Sequence, residues 1–218
     1  MANDEAVGKP FDWSTYSTHA DEVWVKAVRL TEQFESQAPD ERSSTALSVM
    51  LFAAVTIEAF LNDLAYVAAG YSDPAASALA DVLDEIEANH GSVHLRLLMT
   101  GAALGKPFDK GREPYQSFRL LFRLRNEVVH LKPKVFHLLE EDGVEPKDLV
   151  HELRRRGLVD EGHFLLDLIT TKALCCWAVD TARRVVEHVV GLLPPNLKNQ
   201  VVAEVVPAML EYEEPDLE

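Results

Sequence analysis

Arg125 and His130 stand five residues apart in the stretch FRLLFRLRNEVVHLKPK, residues 118–134. One is a cation that cannot shed its charge; the other exchanges a proton near neutral pH. Together they have the types needed for anion binding and proton transfer. Placed on a helix at about 100° per residue, Asn126, Arg119, His130, Arg123 and Glu127 fall in order within one arc of about 100°. Leu120, Leu124, Val128, Leu121, Phe118 and Phe122 lie on the remainder. Arg125 breaks the pattern, projecting from the apolar side between Leu121 and Phe118. A guanidinium there needs an acidic partner, a bound anion or an interface that supplies one. Two readings follow: Arg125 and His130 form a site, or Arg125 is a structural anchor and His130 a helix-ending residue near solvent.

An acidic partner is available upstream. Residues 43–57 contain no charge; Glu58 is the first, and Asp63 follows five residues later. A carboxylate on so apolar a helix is costly unless paired. The two misplaced charges therefore predict a Glu58–Arg125 contact between two helices.

The elements that would position these residues are helical. Ser14 can cap a first helix over 14–37, whose apolar residues follow a three-to-four spacing. The second, over 43–69, is apolar nearly all round until Glu58, as in the central helix of a bundle. Ser72, Asp73 and Pro74 start a third, to about 89. A short helix over 93–103 follows, and Pro114 opens the helix that carries Arg125. Pro133 ends it, which leaves His130 in the final turn, where a helix terminus favours protonated imidazole. Residues 135–162 form an excursion with a short helix over 146–156, stopped by Arg154, Arg155, Arg156 and Gly157. A long helix is predicted over 163–190 and a short one over 197–206. The expected fold is all-α: a helical bundle of about five main helices plus short additional ones. Residues 1–13 form a loose N-terminal segment, 14–206 a single domain with 135–162 as an insertion, and 207–218 an acidic disordered tail.

Composition narrows the function. A chain of 218 residues, 47% hydrophobic, can bury one substantial core. Its net charge of −15 argues against a general nucleic-acid coat protein. Yet residues 106–134, which include Lys132 and Lys134, hold eight basic groups against three acidic ones. That suits a local anion site, or equally the neutralising of acidic helices packed nearby. Cys175 and Cys176 are adjacent within a helical pattern and point about 100° apart, so they read as core residues of a reducing cytoplasm. The N-terminus lacks the pattern of a secretory signal. The uncharged run 43–57 is too short and too polar to span a bilayer, so no membrane association is expected. GAALGKP at 101–107 has one residue too few for a phosphate loop, and Pro107 replaces the magnesium-holding hydroxyl. His151 and Glu152 begin like a zinc-protease helix, but Arg155 stands where the second histidine belongs. His90 and His94 are four apart across Gly91 with no third ligand evident. No metal and no cofactor is expected.

Arg125-Asn126-Glu127-Val128-Val129-His130, downstream of a helix reading IEAFLNDLAY, resembles the R-x4–6-H motif of the HEPN superfamily, whose ribonucleases often carry a polar residue directly after the arginine. The resemblance covers about 15–190 and leaves the 135–162 segment unmatched. It implies a homodimer whose motif helices meet at a cleft, and metal-independent RNA cleavage: attack of a ribose 2′-hydroxyl on the adjacent phosphorus, leaving a 2′,3′-cyclic phosphate. His130 would move protons and Arg125 would stabilise charge on the phosphate oxygens. Asn126 and Glu58 would support them. Arg119, Arg123, Lys132 and Lys134 would carry the RNA backbone. Arg125 and His130 are about 140° apart on one helix, an independent reason to expect two copies to pool their side chains. The resemblance further implies a toxin or antiphage setting with an antitoxin or regulatory partner. The alternatives are a non-catalytic nucleic-acid or nucleotide-binding module and a protein-interaction domain.

Overall fold

The computed structural model describes residues 18–130, 149–159 and 168–212. Helices account for 78% of these, and none of the described residues lies in a strand. The expected all-α bundle is therefore the observed one. In chain order the helices are α1 (Ala20–Gln33), α2 (Arg42–Ala69), α3 (Pro74–Ala88), α4 (Val93–Ala103), α5 (Tyr115–Val129), α6 (Leu149–Arg155), α7 (Lys172–Leu192), α8 (Pro195–Gln200) and α9 (Pro207–Glu211).

The 28-residue α2 is the central helix. Val49, Ala53, Ile57, Phe60, Leu61 and Leu64 have no exposed surface, and α1, α3, α5 and α7 all pack on it. By length and composition α2 could cross a membrane, though just over half of the qualifying stretch is buried inside the bundle. The helix runs through Glu58 and Asp63 to Ala69, as its sequence predicts.

Asp63 explains how a nearly apolar helix keeps a carboxylate that is only 2% exposed. Its Oδ2 accepts hydrogen bonds from the backbone N–H groups of His19 and Ala20, each at 3.0 Å. These are orphan donors at the start of α1, so Asp63 caps a neighbouring helix whose own cap residue, His19, supplies no side-chain bond. Asp21 does the same for α9, accepting from Ala208 at 3.2 Å and Met209 at 3.0 Å. Burial pushes the Asp21 carboxyl above its usual value, while these two bonds oppose the shift.

Local chemistry sets several boundaries. Asp73 accepts from the N–H groups of Ala75 and Ala76 with Pro74 following, which starts α3. Ser92 accepts from Leu95 and starts α4. Between α3 and α4 a Cβ on Gly91 would lie 2.2 Å from Ile86 Cγ2 and 2.9 Å from the Ile86 carbonyl oxygen, so only glycine fits. Gly157, at φ +66°, follows α6 in the left-handed region that favours glycine.

Two boundaries depart from the sequence reading. The long helix starts at Lys172 rather than at 163. Thr171 Oγ1 accepts from Leu174 N–H and donates to the Leu158 carbonyl, fixing an N-cap there. Residues 207–212, assigned to a disordered tail, instead form α9 and its end. Met209 is fully buried and Tyr212 meets the Trp24 ring edge-on at 5.1 Å. The capping by Asp21 and this apolar contact hold the segment on α1. Ser14, the 1–13 segment and residues 213–218 lie outside the described residues.

Candidate functional site

α5 is pinned at its start by Glu113, whose Oε2 accepts from the Ser117 N–H. Phe118, Leu121 and Leu124 are wholly buried, and Leu120, Phe122 and Val128 nearly so. The His94 ring of α4 packs on Phe118 at 4.7 Å and Phe122 at 5.7 Å. His94 is thus held among aromatic rings. Burial, aided by the charge of Arg119, pushes its pKa down.

The apolar packing forces the side chains of α5 into two groups. Arg119, Asn126, Glu127 and His130 are exposed. Arg125 turns toward α2, where Nη2 lies 3.7 Å from Glu58 Oε1. The contact predicted from the two misplaced charges forms within one chain. It is not deeply buried: the Arg125 and Glu58 side chains are 30% and 34% exposed. Arg125 Nη1 also donates to Asn126 Oδ1 at 3.0 Å. The Asn126 side chain therefore holds Arg125, while its backbone carbonyl accepts the His130 N–H at 2.9 Å. His130 is the C-cap of α5, one residue past the last helical position.

Arg123 is engaged with the insertion. Its Nη1 lies 3.7 Å from Glu152 Oε2 of α6. Glu152 also pairs with Arg156 at 3.3 Å, and Arg156 donates to Ser117 Oγ at 2.9 Å and pairs with Glu113 at 3.4 Å. This network lays α6 along the first half of α5. Lys132 and Lys134 lie outside the described residues.

The sequence reading missed Arg96. It lies on α4, only 7% exposed, with Nη2 3.5 Å from Glu87 Oε2. Nε and Nη2 make no hydrogen bond. Burial pushes its pKa below the usual value, opposed by the negative charges of Glu87, Glu58 and Asp84. Glu58 thus stands in the field of two arginines. The signal was present in VHLRLLMTGAA, where Arg96 interrupts an apolar run as Arg125 does. Cys175 is buried and its thiol is pushed up to about 12, chiefly by burial, so it is no nucleophile at neutral pH. His90 has left-handed backbone, φ 55°, in the turn before α4.

Comparison with protein-family models, with curated proteins and with solved structures found no match. The functional reading rests on the site itself.

Two exposed valines flank the Glu58–Arg125 pair. Val55, one turn before Glu58, is 38% exposed, and Val129, one turn after Arg125, is 49% exposed. Residues three and four apart on a helix are neighbours, so each valine flanks one member of the ion pair. The arrangement offers a partly exposed guanidinium for an anion, an exposed imidazole at the helix end and two exposed valines beside the ion pair.

Proposed function

We propose that the protein is a metal-independent endoribonuclease of HEPN type that works as a homodimer through α5. The observation that carries the reading is the oriented yet accessible Arg125, braced by Glu58 and Asn126, on the helix that ends in an exposed His130. In one chain these two side chains leave the helix about 140° apart. Two α5 helices crossing at a dyad bring the Arg125 of one copy toward the His130 of the other.

In the proposed reaction a ribose 2′-hydroxyl attacks the adjacent phosphorus. The O2′–P bond forms, the P–O5′ bond breaks, and a 2′,3′-cyclic phosphate remains. One His130 accepts the 2′-hydroxyl proton and the other donates a proton to the departing 5′ oxygen. Arg125 stabilises charge on the non-bridging oxygens through bonds that strengthen as that charge develops. Arg119 holds the flanking backbone, with Lys132 and Lys134 continuing the basic run, while Arg123 is tied to Glu152. The setting is a toxin or antiphage effector in the cytoplasm, restrained by an antitoxin or regulatory protein.

A second reading has its own observation. Glu58 already neutralises Arg125 at 3.7 Å, so the pair could serve a binding or interaction domain without chemistry. Incubating the protein with RNA in EDTA separates the two. The nuclease leaves cyclic phosphate ends and loses activity in a folded His130→Ala variant. A binding module keeps its RNA affinity after that change and cleaves nothing.

A further inference from the structure

The excursion between α5 and α7 has no part in the reaction just described, yet its helix is laid along α5 by charge. Glu152 lies between Arg123 and Arg156, and Arg156 reaches Ser117 and Glu113. α5 together with residues 149–156 holds six arginines against two acids in a chain of net charge −15. With Glu152 shared between Arg123 and Arg156, Arg119 and Arg155 remain exposed, and neither has a carboxylate within ion-pair distance among the described residues. Arg155 is three residues after Glu152 and lies on the exposed flank of α6 beside it, whereas Arg154 falls on the far side of the helix.

We propose that α6 extends the nucleic-acid path of α5, with Arg155 and Arg119 gripping the phosphate backbone of a single-stranded RNA that runs on to His130. The proposal rests on the ribonuclease reading, for it takes the same ligand. Arg119 precedes His130 by eleven residues, about 16 Å along a helix. That length matches roughly four to five phosphates at the ~3.4 Å spacing of a stacked strand. Glu152 sets the position of the path: it fixes α6 on Arg123 and leaves the guanidinium one turn further on facing outward.

The test is the salt dependence of binding to a fluorescent 2′-O-methyl oligoribonucleotide, which lacks the attacking hydroxyl and stays intact. Each lost phosphate contact on a single strand reduces the slope of log K against log salt by about 0.7. Arg155→Ala is expected to reduce the wild-type slope by about that amount, and Arg155→Lys to retain it. Arg154→Ala leaves it unchanged. A wild-type slope preserved in Arg155→Ala overturns this inference and leaves the ribonuclease reading standing. No salt-dependent binding by the wild type overturns both.

Discussion

Replacing the two members of the Glu58–Arg125 pair, singly and together, separates a structural anchor from a working group. At 3.7 Å the attraction between unit charges is about 1 kcal/mol in water and about 4.5 kcal/mol at an effective dielectric of about 20. Both side chains are about a third exposed, so screening and side-chain entropy place the net coupling near the low end, about 0.5–1 kcal/mol. A cycle of Glu58→Gln, Arg125→Gln and the double variant, followed by urea unfolding, measures it. The singles should not be equal. Arg125→Gln leaves Glu58 in the field of Arg96, whereas Glu58→Gln leaves two cations without their shared carboxylate. Glu58→Gln is therefore the more destabilising change. Loss of a charge-stabilising donor costs on the order of 100-fold or more in rate, so Arg125→Gln should lose RNA cleavage by at least about that factor with little loss of stability. A coupling energy above about 3 kcal/mol, or cleavage undiminished in Arg125→Gln, refutes this reasoning and returns Arg125 to the role of an anchor.

Other changes test the frame around the site. Asp63→Ala orphans two N–H donors at the start of α1 and should cost roughly 3 kcal/mol, with Asp63→Asn costing less; an unchanged urea midpoint would contradict the cross-helix cap. Stability should also fall as pH drops below about 6.5. Burial pushes His94 and His188 below the ordinary value of 6.5, so between that value and their folded ones the unfolded chain binds protons that the native chain does not. The loss levels off below the folded values. Asp21 has the opposite sign: its raised pKa makes stability fall as pH rises through and above 3.8. Melting temperatures of wild type and a His94→Gln/His188→Gln variant at pH 7.5 and 5.5 check this, the variant giving the flatter profile.

The helices that carry their own start signals were legible in the sequence. Asp73 before Pro74 and Ser92 before an apolar run are local devices, and α3 and α4 begin where they indicate. Glu58–Arg125 was legible because each charge interrupts an apolar face, and an uncompensated charge there must find its opposite. Arg96 carries the same signal in a shorter helix, where fewer apolar neighbours mark the face. What escaped depends on distant partners. The start of α7 needs Thr171 to reach Leu158, thirteen residues earlier. The docking of 207–212 depends on Asp21 and Trp24, nearly two hundred residues earlier. Glu152, half-buried between two arginines, reads in sequence as an ordinary surface acid.

The most direct measurement of the central claim is incubation of the protein with structured and unstructured RNA in EDTA, wild type beside His130→Ala. Cleavage by the wild type alone, with 2′,3′-cyclic phosphate ends, is the predicted result. Cleavage by both proteins, or by neither when both are folded dimers, would contradict a nuclease built on Arg125 and His130.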